Sequence, residues 1–300
     1  MINSFLAAFV LFPIILVWYS WYLEPSGLVI RSEKVVSNRV SLERPVRILF
    51  LSDLHFGTFL TQRQIEKKWK IIETRNREQS FDLVVFGGDY LDRSMQYLER
   101  LEGFLRRFQS FGVPVVGILG NHDESYPSID SQALLAGLTK SGVRILHNDA
   151  YTWQSPGGPI VLIGIKDLES SSKYVPTKKQ EIRAAIYRKR AEEIKWYERF
   201  NGYGKGKVRI LIGHNPDVAY LPGSPRPDLI LSGHTHGGQT ILTDWLRVAL
   251  YWMMPRGSFR SFAGRKTING SELVVSRGFG GSLLPVRLLR KPEAVVIELS

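Results

Sequence analysis

Five apolar runs in this chain end in the same way. Val46 to Leu51 is followed by Asp53-Leu54-His55, Leu83 to Phe86 by Gly87-Gly88-Asp89-Tyr90-Leu91-Asp92-Arg93, and Val113 to Leu119 by Gly120-Asn121-His122-Asp123. Val208 to Ile212 runs into Gly213-His214-Asn215, and Leu229 to Leu231 into Gly233-His234-Thr235-His236. Short apolar runs closed by glycine are the pattern of buried strands. Each strand therefore releases a carboxylate, an amide or an imidazole into the loop at its end. The paired Gly87-Gly88 lets the backbone turn sharply ahead of Asp89 and leaves room for a close approach. Histidine usage narrows the reading further. The chain has six histidines, and all but His147 lie in these strand ends. Histidines used for packing or scattered over a surface would not sort this way, so the set reads as a metal site.

Three hundred residues allow one large domain or two small ones, and the alternation of strands and helices favours one. At 44% hydrophobic the chain has ample material for a core. It contains no cysteine, which excludes disulfides, thiolate chemistry and a cysteine-type structural zinc site, and leaves the compartment open. A formal charge of +12 calls for an anionic partner: a phosphorylated substrate, an anionic lipid surface or nucleic acid.

Phe5 to Tyr22 is uncharged and almost wholly apolar, with Trp18, Tyr19, Trp21 and Tyr22 crowded at its far end. As a helix it is just long enough to span the hydrocarbon layer, and the aromatic residues would sit at the interface. It lacks the basic start and small-residue end of a cleaved signal peptide. Residues 1–23 therefore read as an N-terminal membrane anchor; the other reading is an apolar helix packed on the domain. Arg31, Lys34, Arg39, Arg44 and Arg47 follow the segment, which places the main body on the cytoplasmic side of the inner membrane.

Residues 24–45 read as a polar connector, with Leu28-Val29-Ile30 a candidate first strand, and residues 46–300 as the motif-bearing domain. Gln62 to Gln79, Met95 to Phe111 and Ser131 to Ser141 have the apolar spacing of amphipathic helices. Val143 to Leu146 reads as a strand, and Tyr151 to Gln154 with Ile160 to Ile165 as a hairpin about Pro156-Gly157-Gly158. Lys178 to Phe200 is a charged helix with a solvated face. A hydrophobic insert around residues 243–262, with Trp245, Leu246, Val248, Leu250, Tyr251, Trp252, Met253 and Met254, is too short to span a bilayer. It reads either as a core helix or as a surface that meets lipid headgroups or an acyl chain. Strands at Leu273 to Ser276 and Ala294 to Leu299 close the chain.

Taken in order, Asp-x-His, Gly-Asp-x-x-Asp-Arg, Gly-Asn-His-Asp, Gly-His and Gly-His-x-His resemble the calcineurin-like metallophosphoesterase family, over roughly Val46 to Leu299. The resemblance implies an α/β (α+β) fold, a mixed two-sheet β-sandwich flanked by helices, with two divalent metal ions at the loop ends. Carried onto this chain, Asp53, His55 and His236 would hold one ion, Asn121, His214 and His234 the other, and Asp89 would bridge them. His122 would protonate the leaving oxygen or steady the transition state, with Asp123 fixing its tautomer. Arg93 resembles the family arginine that contacts phosphate, and Asp92 would orient His122 or Arg93. Two ions about 3.5–4 Å apart can clamp phosphoryl oxygens and acidify a water. The mixed N and O donor set accepts Mn, Fe, Zn or Co, and family resemblance favours manganese.

Among members with an N-terminal apolar segment, the membrane-bound UDP-2,3-diacylglucosamine pyrophosphatases of lipid A synthesis look especially similar, together with related phosphodiesterases of bacterial envelopes. That resemblance implies a phosphorylated-lipid or nucleotide-lipid substrate, cleaved to lipid X and UMP. The alternatives are a general phosphodiesterase and a protein phosphatase with the same two-metal site. A nucleic-acid partner rests on the positive charge alone, and that charge is equally expected of a protein lying against anionic lipid.

Overall fold

The computed structural model describes residues 11–37, 40–167, 203–220, 226–240, 261–281 and 285–300. Its frame is a pair of six-stranded mixed sheets. The first has the order β1-β12-β2-β3-β4-β5 and the second β10-β11-β9-β8-β7-β6. In the first sheet β2 (Val46–Leu51), β3 (Leu83–Phe86), β4 (Val115–Gly117) and β5 (Arg144–Ile145) run parallel. Here β12 (Glu293–Leu299) is antiparallel to β2 and parallel to the edge strand β1 (Val29–Val35). In the second sheet β7 (Gly158–Ile165), β8 (Val208–Gly213), β9 (Leu229–Ser232) and β11 (Ser271–Val275) are parallel. The edges β6 (Asp149–Ser155) and β10 (Gly264–Ile268) are antiparallel to their neighbours.

Strand periodicity explains the layering. Side chains alternate between faces, so Ile48 and Phe50 of β2 join Ile210 and Ile212 of β8 in the core between the sheets. Leu49 and Leu51 turn the other way, into a second core under the helices. Both faces of the central strands are thus dry, which is why they read as continuous apolar runs. The helical cover comprises α2 (Gln62–Glu78), α3 (Leu98–Arg106) and α4 (Ser131–Lys140). Thr61 starts α2 through a capping box with Gln64, and Ile65, Trp69 and Ile72 supply its buried stripe. Phe108 is fully buried against Trp69, Phe86, Phe104 and Phe111, with ring centroids 5.1–5.7 Å apart.

Several elements differ in detail from the sequence reading. The connector's candidate strand extends over Val29–Val35 and pairs with β12, so the first sheet takes in residues ahead of Val46. The Met95 to Phe111 helix is α-helical only at Leu98–Arg106, with 3-10 turns on both sides. β10 had no apolar signature, because Arg265, Lys266 and Thr267 of this edge strand are exposed. Residues 11–26 are helical (α1), with a wide π turn at Tyr19–Leu23, and much of the apolar surface from Leu11 to Trp18 is exposed. No helix among the described residues is long and apolar enough to cross a membrane. Residues 1–10 of the anticipated anchor, the charged helix at Lys178 to Phe200 and the Trp245 to Met254 stretch lie outside the described residues.

Truncating Phe108 to Ala should destabilise the chain by about 3–5 kcal/mol, since the cavity would lie in the middle of an aromatic cluster. Urea unfolding followed by tryptophan fluorescence reads this directly.

Candidate metal centre

All five motif-bearing strands point their carboxyl ends to the same side of the molecule, where ligands of open α/β sheets characteristically bind. Beyond the strands the β2 and β3 loops stay laddered: Asp53 N donates to Gly88 O (3.0 Å), His55 N to Asp89 O (3.0 Å) and Phe56 N to Tyr90 O (2.9 Å). The loops of the two sheets then meet. His234 N donates to both Asp53 carboxylate oxygens (2.9 and 3.1 Å), and His122 N to Asp89 Oδ1 (2.9 Å). Two glycines permit the approach. A Cβ on Gly120 would lie 2.2 Å from Asp89 Oδ1, and one on Gly233 would lie 2.0 Å from Ser52 Oγ. Asp53, His55, Asp89, His234 and His236 all have positive φ, between 43° and 69°. Such conformations cost about 1–3 kcal/mol each in a non-glycine residue and persist only where the surroundings impose them.

The side chains converge accordingly. His55 Nε2 lies 3.1 Å from His236 Nε2 and 3.4 Å from Asp89 Oδ2, and His236 Nε2 lies 3.5 Å from Asp53 Oδ1. On the other side of Asp89, His214 Nε2 is 3.2 Å from Asp89 Oδ2 and 3.9 Å from Asp53 Oδ1, and His234 Nδ1 is 3.0 Å from Asn121 Oδ1. Two groups able to hold a cation result: Asp53 with His55 and His236, and Asp89 with His214 and His234, beside Asn121. Asp89 also lies with His55 and His122 in a third such group, so its carboxylate stands between the two sets.

The donors fit divalent ions. His214 Nδ1 donates to Gly87 O at 2.6 Å, which turns Nε2 inward toward Asp89 and Asp53. A backbone carbonyl behind a ligand histidine sets the tautomer that metal binding needs. Burial pushes the His55 and His236 imidazoles well below their ordinary pKa, which keeps them neutral. At His214 burial pulls in the same direction, yet the charges of Asp89, Asp53 and Asp167 push it well above. Buried carboxylates that hold a proton on an imidazole are a place where a cation is welcome.

Asp123 has a different task from the one its motif suggested. Its Oδ2 accepts from Asp89 N (2.8 Å) and Gly120 N (2.9 Å), and its Oδ1 from Tyr90 N (2.9 Å). With both oxygens taken up by amides, it holds the Asp89 and Asn121 loops together rather than the His122 ring. Burial and then the Asp89 charge push its carboxyl up to about 7, against the amide donors. His122 is held by packing instead: its ring stands 4.7 Å from the His55 centroid and 4.4 Å from Tyr126, and its Nδ1 has no hydrogen-bond partner among the described residues. Arg93 is partly exposed, 3.8 Å from Asp92 and 5.4 Å over the Tyr126 ring. His147 stands apart, 3.6 Å from Glu124. Sequence reasoning missed Tyr126, for which the four-residue step from His122 was an available signal, and Arg287, for which there was none.

The chain belongs to the calcineurin-like phosphoesterase family, whose model matches residues 46–238, and it is a metal-dependent phosphoesterase. Phosphodiesterase YaeI of Escherichia coli (strain K12) is 27% identical over 289 residues, covering 94% of this chain and 92% of its own length. Protein YpbG of Bacillus subtilis (strain 168) is 25% identical over 281 residues, covering 93% and 90%. A dimetal phosphatase from Danio rerio aligns with a TM-score of 0.48 at 11% identity, over 79% of this chain and 88% of that one.

Two variants separate ligand from acid. Asp89→Ala should lose bound metal and turnover together, read by elemental analysis beside an aryl phosphate ester assay. His122→Ala should keep its metal and lose rate by roughly 10²–10⁴-fold, the span of a general acid.

Proposed function

We propose that the protein is a phosphodiesterase that works at the cytoplasmic face of a membrane on a lipid-linked pyrophosphate, with UDP-2,3-diacylglucosamine its substrate and a lipid monophosphate (lipid X) and UMP its products. One observation carries this reading. The exposed apolar helix α1 is rooted beside the metal centre: Ser20 O accepts from Arg287 N (2.8 Å), and the Glu24 carboxylate accepts from Leu289 N (2.8 Å) and Arg290 N (2.5 Å). Arg287 in turn lies 3.4 Å from His236. An apolar segment laid in lipid would therefore bring the catalytic loops to the headgroup layer. The +12 charge complements an anionic surface, and the 27% identical relative named as a phosphodiesterase supports the bond type.

At the site, two ions, taken as manganese, would supply positive charge to the phosphoryl oxygens and lower the pKa of a water. Asp53, His55 and His236 would hold one, His214, His234 and Asn121 the other, with Asp89 between. The chain's own groups do the rest. The Arg93 fork, steadied by the Tyr126 face, is suited to a phosphate oxygen, and His122 delivers a proton to the departing oxygen.

Purified full-length protein with Mn should convert UDP-2,3-diacylglucosamine in detergent micelles to the two monophosphates, seen by mass spectrometry. An intact nucleotide lipid beside rapid cleavage of simple aryl phosphodiesters would leave a general phosphodiesterase and remove the lipid. Replacing Ile14, Val17 and Trp18 together with Ser should reduce cosedimentation with anionic vesicles and spare hydrolysis of soluble aryl esters.

A further inference from the structure

Arg287 is the largest side chain in the structure with almost no solvent exposure, at 1%. Burying a guanidinium is unfavourable unless its donors are satisfied; here Nη1 and Nη2 find backbone carbonyls, chiefly on one loop, while Nε has no partner among the described residues. Nη2 donates to Arg277 O (2.8 Å) and Gly280 O (2.5 Å), with Gly278 O at 3.5 Å, and Nη1 donates to Arg290 O (2.9 Å). Lys68, also fully buried, grips the same loop through Phe279 O (2.5 Å). The loop thus held lies on the first metal set. Phe279 N donates to Ser52 O (2.9 Å) and Gly280 N to Asp53 O (2.8 Å). A Cβ on Gly278 would come within 2.9 Å of Asp53 Cβ and 3.2 Å of His236 Nδ1. The guanidinium also packs 3.4 Å from His236 Nδ1, on the far side of the ring from the nitrogen that faces Asp53 and His55. With Nε2 turned to a cation Nδ1 keeps the proton, so this is a packing contact and the hold on the site runs through the loop.

The residue is anchored from behind by α1. The backbone amide of Arg287 is bonded to Ser20, and the amides two and three residues on are bonded to the buried Glu24 carboxylate. A charged acceptor on two consecutive amides is a strong, directional hold on a turn. The chain of contacts runs from Glu24 through the 287–290 turn to the 277–280 loop, and from there to Asp53 and His236.

We propose that Arg287 is a positioning residue for the cation site formed by Asp53, His55 and His236, and that Glu24 of α1 holds Arg287 in place. The N-terminal helix is then a structural part of the metal centre as well as an apolar attachment. The inference rests on the metal-centre reading and is independent of the lipid substrate. It differs from a plain packing role in what it changes, namely the geometry offered to one ion.

Metal-free full-length protein titrated calorimetrically with Mn tests it, with circular dichroism reporting the fold. Arg287→Met should weaken one of the two Mn affinities by about 10–100-fold, the usual effect of losing a group that orients a ligand. Arg287→Lys should recover part of the loss. Glu24→Gln should weaken the same affinity by a smaller factor, because one acceptor oxygen remains. Unchanged Mn affinities in folded Arg287→Met, with only its melting temperature lowered, would overturn the proposal. Should that variant fail to fold, unchanged affinities in Glu24→Gln would overturn it equally. Wild-type protein that takes up no Mn would instead overturn the metal-centre reading itself.

Discussion

The site depends on buried carboxylates that accept hydrogen bonds from the backbone of neighbouring loops. Asp53 takes the amide of His234, Asp89 that of His122, and Asp123 those of Asp89, Tyr90 and Gly120. Charged acceptors in a dry setting form strong bonds; those of Asp89 and Asp123 join the loops after β3 and β4, and that of Asp53 joins loops from the two sheets. They also answer for the left-handed backbone at five candidate ligands, which no local preference of Asp or His would sustain in series. An acid in this site therefore has a mechanical role before it has a chemical one. Asp53 and Asp89 also face the candidate cation positions, whereas both oxygens of Asp123 are taken up by amides.

The electrostatics follow from that arrangement. Two acids, Asp53 and Asp89, stand among four imidazoles with almost no access to water, so the protonation states are set by neighbours rather than by solvent. His55 and His236 are held neutral, and His214, facing the carboxylates, is driven to carry charge. The carbonyl of Gly87 already orients His214 with Nε2 turned inward toward Asp89. Preorganised donors of this kind need little rearrangement when ions bind, which is how such a site keeps its geometry through turnover.

The helix α1 gives the architecture a polarity. The ligand loops gather at the carboxyl ends of the strands, and the turn at residues 287–290 that receives Ser20 and Glu24 stands beside them. The exposed apolar residues from Leu11 to Trp18 and the metal centre are thus fixed to each other through one short turn.

The primary structure alone determined the five strands that carry the motifs and which acids, amide and imidazoles they release at their ends. A run such as Leu83 to Phe86 followed by Gly-Gly-Asp reports a dry strand and a sharp exit, because periodicity and glycine act locally. What it could not determine was pairing across the fold. That Asp123 serves amides rather than His122 depends on where the β3 and β4 loops meet. That Arg287 is buried against His236, while dozens of other basic residues carry no such mark, depends on a turn received by a helix more than 260 residues earlier. The edge strand β10 was invisible for the opposite reason, since an exposed ribbon needs no apolar code. Contacts between residues far apart in the chain are decided by the packing of the two sheets, and only the tertiary structure carries that information.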